Sequence, residues 1–442
     1  MKQGLRWVLW SVAGVLLLAV ALWGASRLWG VRASERAALA QMRTEWTPQG
    51  RNGFDALWTY RHDVPTARQA EVVDADIRTI SSWPAGNPDA APYRSAVEAY
   101  PDLAPVDADA GMLCQVTMPG CLEKVSADIE GYAALAARNA KLIARADALG
   151  GYDHIKSRVP WRVDTPMPQL AFAYAPATRD ALLFAQGERQ QALRNVCRGI
   201  ASWRRYASNS DTLLTAMVAT SHASDGYGRL FADMLAALPA GEPVPAECGD
   251  ALADVTPAEL SLCQAMKGEF AYGDTAMRGY AEMAGEGPMG GSAFAQRFLF
   301  DVEGTSALNA ANLSEACGSR IADMVTQDVP VPSLQGERRW GRRFACIGNP
   351  VGCILSDIAG PAYVDYVLRR QDFGMKLKVL GTLLWLREHP QPGVPLAERL
   401  SQRPAGLKSA ARDIEIDQAG RQLHIRLYRT DKGATWTAPL GG

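Results

Sequence analysis

One stretch near the amino terminus constrains this chain more than any other. Trp7 to Trp23 (WVLWSVAGVLLLAVALW) is 17 residues without a charge, and uncharged residues continue to Ser26. At a helical rise of 1.5 Å, about 20 such residues cover a hydrocarbon core of about 30 Å. Trp7 and Trp10 mark one end and Trp23 and Trp29 the other, and indole rings settle at headgroup level. Gly24-Ala25-Ser26 offers small residues for cleavage, but a secretory signal has a shorter apolar region of roughly 7–15 residues. The run is therefore read as an uncleaved signal-anchor. No Cys follows it directly, which excludes lipidation there.

Charge alone does not orient the span. Lys2, Arg6 and the α-amino group precede it, while Arg27, Arg32, Arg36 and Arg43 follow, so the positive-inside rule is nearly balanced. The cysteines break the tie. All eight lie beyond the anchor, and two pairs share a spacing: CQVTMPGCL (114–122) and CIGNPVGCI (346–354) each place six residues, Pro and Gly among them, between cysteines. Turns of that length bring Cα atoms within disulfide range, and Cys-x-x-Cys knuckles with nearby His, which a metal site wants, are missing. Disulfides are expected for Cys114–Cys121 and Cys346–Cys353. For the remaining four, Cys248 with Cys263 and Cys197 with Cys317 is the provisional pairing. Disulfides need an oxidising compartment, so the expectation is a single-pass cell inner-membrane protein with its short amino-terminal tip in the cytoplasm and its bulk periplasmic.

Beyond the anchor the pattern is helical. Residues 32–46 read as a stalk continuing the anchor helix, and 47–120 as an irregular segment with short helices at 66–80 and 93–100. Apolar residues at intervals of three and four from Leu122 to Leu149 predict one amphipathic helix over 121–148. Gln169–Gln186 and Glu188–Ser208 follow around Gly187, and LLFAQGERQQALRNV (182–196) resembles a single tetratricopeptide-type helical hairpin. It covers some 30 residues and does not recur at a period of 34, so no repeat protein is implied. Further helices are expected over 211–238, from a start at Thr256-Pro257-Ala258-Glu259 toward Met283, over 305–326 and over 361–388, with 285–293 as a flexible link. Alternation at Ile414, Ile416, Leu423, Ile425 and Leu427 predicts a small hairpin around Asp417–Gly420. The expected fold class is mainly α: one N-terminal transmembrane helix, then an antiparallel helical extracytoplasmic domain with a small C-terminal β-hairpin. The expected divisions are 1–31 (cytoplasmic tip and anchor), 32–120 (stalk and acidic segment), 121–330 (helical-hairpin body) and 331–442 (basic helical segment with the hairpin).

Composition excludes some functions. Net charge is −1, from 46 basic and 47 acidic residues, so no global field draws the chain to nucleic acid. Charge is uneven, however: residues 53–130 carry 13 acidic and 5 basic groups, and 335–432 carry 10 and 17. The five His never fall at i, i+4, which argues against a zinc site of the His-Glu-x-x-His kind. Ser221, His222, Ser224 and Asp225 are adjacent but lack a nucleophile elbow. Glu269, Asp274, Glu282 and Glu286 could line a cleft, but solvation explains them more simply. Phe54, Leu57 and Trp58 read as one packed helix face. The segment Glu337 to Phe344 interleaves Arg338, Arg339, Arg342 and Arg343 with Trp340. Guanidinium groups grip phosphate or carboxylate in pairs and indole offers a stacking face, so these five residues are the candidate binding site. No catalytic residue, metal or cofactor is indicated. The expected function is that of a membrane-anchored binding, scaffold or accessory protein of the cell envelope, held by residues 7–26 and partnered by an envelope protein or an anionic lipid or glycan. The alternative is an envelope hydrolase acting on a glycan or lipid.

Overall fold

The computed structural model describes residues 2–84, 92–116, 119–162, 164–282, 298–334, 340–429 and 433–441. It is 65% helix and 5% strand. Lys2–Trp29 forms one 28-residue helix, as a run of Leu, Val, Ala and Trp without Pro allows. Its most apolar 18-residue window has a mean hydropathy of 2.2 and no buried residue. Helical hydrogen bonding stops at Gly30, whose N–H still reaches the Ser26 carbonyl at 2.8 Å.

The expected stalk is corrected. The chain breaks around Arg32, whose backbone N–H and guanidinium both donate to the Glu35 carboxylate at 2.8 and 3.0 Å. That opens a separate helix, Ala33–Met42, with Glu35, Leu39 and Met42 buried against the body. Apolar residues spaced for packing decide this, because burying Leu39 and Met42 repays bending the chain back.

Two hydrophobic cores lie behind it. The larger gathers Pro176–Ala185, Arg189–Ser208, Gly228–Ala237 and most of Val364–Glu388. The smaller gathers Ala33–Met42, Cys263–Glu282, Val302–Leu313 and Ser319–Thr326. The 25-residue helix Val364–Glu388 serves both, giving Val367 to the smaller core and Phe373 to Leu386 to the larger. Phe54, Leu57 and Trp58 are buried on helix Phe54–Thr59 in the larger core.

Several expected helices are shorter or divided. The 121–148 helix is three, Cys121–Ala127, Ile129–Arg138 and Ala140–Ala148, broken at Asp128 and Asn139. Asp128 caps the second through its side chain, accepting from the Gly131 N–H at 2.9 Å, which shows how Asp and Asn compete with helical hydrogen bonds. Gln169–Gln186 begins only at Pro176. The capping box at Thr256 and Glu259 is present, yet that helix closes at Leu260. The region 305–326 divides at Ser314–Cys317 into Val302–Leu313 and Ser319–Thr326, and the one expected at 361–388 begins at Val364 after a separate helix, Pro350–Ala362. The expected link at 285–293 lies outside the described residues.

The C-terminal hairpin gains a strand. β1 (Glu415–Ile416), β2 (Gln422–Arg426) and β3 (Thr435–Pro439) form an antiparallel sheet in that order. Its register pairs Leu423 with Ala438 and Ile425 with Trp436, and all four are buried. Period-two alternation is short in β3 because Pro439 ends it, which hid the strand in sequence.

All eight cysteines stand in pairs at disulfide distance. Cys114–Cys121 and Cys346–Cys353 are as expected, with Cα atoms 5.5 and 5.7 Å apart. The other expected pairing is overturned: Cys197 joins Cys248 and Cys263 joins Cys317, with Cα separations of 4.9 and 4.6 Å. Each bond stays within one core, Cys197 and Cys248 in the larger and Cys263 and Cys317 beside the smaller. Neighbours in sequence were misleading because Cys248 and Cys263 belong to different cores.

Candidate functional site

Two places bear on function among the described residues. The first is the Arg-rich segment. Arg338 and Arg339 lie outside the described residues, while Trp340, Arg342 and Arg343 open the helix Trp340–Gly348. Arg343 is exposed. This helix packs along the last turns of Lys2–Trp29, so Arg343 sits near the carboxyl end of that apolar helix. The Ser26 hydroxyl donates to the Phe344 carbonyl at 2.6 Å and accepts from the Gly348 N–H at 2.8 Å. No local pattern announces that residues 318 positions apart meet here. The Cys346 and Cys353 spacing is also met differently: Asn349 joins two helices, where a turn was expected.

The second place is a groove that sequence reading missed. It has a volume of about 590 Å³ and runs between Cys121–Ala127, Gly228–Ala237 and the end of the sheet, lined by Leu122, Glu123, Phe184, Arg189, Asp233 and Pro439. Asp233 also faces an adjoining pocket with Tyr174, Asp225 and Arg229. Burial raises the Asp233 carboxyl to about 6; Arg229 opposes the rise and Glu123 adds to it. A visible cue was Asp233 itself, a charge inside the apolar run Leu230 to Leu235.

Behind the groove, the helical run through residues 213–237 carries a π-turn, His222–Tyr227. Such turns insert a residue into a helix and recur at functional sites. Gly226 admits the Tyr174 ring, since a Cβ there would stand 2.7 Å from Cε2. His222 lies edge-on to Trp203 with ring centroids 4.3 Å apart. Burial alone pulls its pKa down to about 3, so it stays neutral. Its Nδ1 has no hydrogen-bond partner. Ser224 donates to the Thr220 carbonyl at 3.0 Å. Asp225 pairs with Lys376 at 2.7 Å and accepts from Trp436 Nε1 at 3.0 Å. The adjacent Ser, His and Asp therefore point into separate structural contacts and form no triad.

The acidic cluster from 269 to 286 is divided as well. Asp274 and Glu303 share Arg43 and Arg278 in a four-membered ion network. Glu269 is raised by burial and accepts a long contact from the Tyr363 hydroxyl at 3.5 Å. Glu286 lies outside the described residues. Among the described residues no three His, Cys, Asp or Glu converge as metal ligands. No known protein family, no curated protein and no solved structure matches this chain.

Proposed function

We propose that this chain is a single-pass protein of the cell inner membrane whose helical body lies in the periplasm and works by binding, as a scaffold or accessory protein of the envelope. The observation that carries the reading is the anchor helix. Its apolar side chains stay outside both cores along residues 3–22, while its last turns are built into the body. A core helix of a water-soluble protein buries such a stripe, and a tether does not. The placement of all four cysteine pairs beyond the helix supports an oxidising compartment for the body. Arg338, Arg339, Trp340, Arg342 and Arg343 are the proposed binding residues, for an anionic partner at the membrane surface.

The test replaces the four arginines with Gln in the full chain. Exposed charges shift stability by no more than about 0.5 kcal/mol, so the melting temperature should hold while capture by anionic vesicles weakens. Raised salt should reproduce the loss, since screening acts over about 8 Å at physiological ionic strength. A large fall in stability with unchanged capture would assign these arginines to packing.

The groove favours a second reading, an envelope hydrolase acting on a glycan or lipid. An acid catalyst for glycoside cleavage needs a raised carboxyl facing a second carboxylate, and Asp233 with Glu123 meets the first half of that requirement. Asp233→Asn abolishing a glycan- or lipid-cleaving activity of the purified protein would promote this reading over the first.

A further inference from the structure

Beside the anchor, one helix is built with its apolar side outward. At 3.6 residues per turn, Asn349, Gly352, Cys353 and Ser356 share one face of the corner and helix Pro350–Ala362, and Ile354, Leu355 and Ile358 share the opposite one. The small and polar face is the buried one. Asn349 Nδ2 donates to Thr305 Oγ1 at 3.0 Å, and Asn312 Nδ2 donates to Ser356 Oγ at 3.1 Å. Gly352 lies so close to helix Val302–Leu313 that a Cβ would meet Thr305 Oγ1 at 1.9 Å. The apolar face points away from the body: Ile354 is 59% exposed, Leu355 44% and Ile358 70%. Ile347 on the partner helix Trp340–Gly348 is 46% exposed.

In water an amphipathic helix turns its apolar stripe inward. Contact through Gly, Ser, Thr and Asn is instead the pattern favoured where apolar burial gains nothing because the surroundings are lipid. A contiguous exposed apolar face marks a contact surface, and continuity with the anchor says what it contacts. The helix hairpin grips Ser26 and Gly30, with Gly30 placed so that a Cβ would stand 2.9 Å from the Ala345 Cα. Phe298, itself exposed, stacks on Trp23 at 4.5 Å. Counting about 30 Å of hydrocarbon from Trp7 puts these anchor residues at the far boundary of the bilayer.

We propose that the disulfide-clasped hairpin Trp340–Ala362 is a second membrane-contacting element, lying flat in the leaflet where the anchor ends. Ile347, Ile354, Leu355 and Ile358 enter the headgroup–acyl boundary, the depth at which interfacial helices bury their apolar faces. The proposal rests on reading Lys2–Trp29 as a membrane span. It adds that the body is held at two points and so presents a fixed face to the bilayer, where a single tether would let it swing.

The experiment uses the full chain in bilayers of mixed zwitterionic and anionic lipid with a carbene-generating photolabel dissolved in the acyl region. Labelled peptides are mapped by mass spectrometry. Label on residues 7–22 and also on 347–358 is expected. Ile354→Asp with Ile358→Asp should remove the label from 347–358 and leave that on the anchor. These positions are exposed, so helix content should be unchanged. Label on the anchor with none on the wild-type 347–358 peptide would overturn the proposal and keep the anchor. The same holds for a dimer crosslinked through Ile358, which would assign the face to a second copy. Absence of label from residues 7–22 would overturn the anchor reading itself, and the proposal with it.

Discussion

Arg412 ties three segments of the fold together. It is buried, pairs with Asp328 at 2.6 Å and Asp372 at 2.5 Å, and lies 3.7 Å from the Tyr428 ring centroid. Asp372 also accepts the N–H groups of Tyr428 and Arg429 at 2.9 and 3.0 Å. One guanidinium thus fastens the loop before β1 to helix Val364–Glu388 and to the segment after β2. Arg412→Leu leaves two buried carboxylates without their cation, which costs about 3–5 kcal/mol. Thermal unfolding of the detergent-solubilised chain should show that loss, and adding Asp372→Asn should recover part of it.

His222 makes a second prediction at this scale. Its folded pKa, about 3, is below the ordinary 6.5. Below pH 6.5 the unfolded chain takes up a proton that the folded chain refuses, so this group lowers stability as pH falls from about 6.5 toward 3. Asp180, Asp211 and Asp233, each raised to about 6 by burial, act with the opposite sign: between about 3.8 and 6 they lower stability as pH rises. The histidine is isolated by difference. Relative to His222→Phe, the wild type should lose about 1.4 kcal/mol per pH unit below 6.5 in urea unfolding at a series of pH values. A constant difference would mean that His222 is protonated in the fold.

At the scale of elements, the cysteine pairs carry the prediction. Peptide mapping without reductant should recover Cys197–Cys248 and Cys263–Cys317 with the two short-range pairs. Free thiols or the exchanged partners would contradict the fold. Chain-entropy arguments give about 4 kcal/mol for the bonds closing 51 and 54 positions and about 2.5 kcal/mol for those closing 7. Replacing Cys197 and Cys248 together by Ser should therefore destabilise more than replacing Cys114 and Cys121. What was legible in sequence follows the same division between local and distant. The long apolar N-terminal helix, the short-range disulfides, the hairpin around Gly187 and the capping box at Thr256 are local patterns, and all are present. The breaks at Asp128 and Asn139 escaped because apolar periodicity runs straight through them while the backbone does not. The folded-back helix Ala33–Met42 depends on core partners well over a hundred residues away, and the long-range disulfides on partners 51 and 54 positions away. The groove escaped for the same reason, since Glu123 and Asp233 meet only in the fold. Helix Pro350–Ala362 escaped because an inside-out face has the same period as an ordinary one.

Across the whole molecule, the apolar helix Lys2–Trp29 and the body it joins are packed very differently. The apolar helix Lys2–Trp29 contributes nothing to either core along most of its length, yet its last turns are hydrogen-bonded into the body. Body and helix Lys2–Trp29 are therefore in packed, hydrogen-bonded contact at the point where the chain would leave the proposed membrane. That arrangement suits a protein that presents one surface at a fixed height. Everything functional proposed for the chain then depends on which side of the membrane the body occupies. A paired fusion after Gly442 measures this most directly, with one reporter active only outside the cytoplasm and another active only within it. Activity is expected from the first and none from the second. Activity from the cytoplasmic reporter alone would put the body and its cysteines inside, and would contradict both the orientation and the compartment on which the proposed function stands.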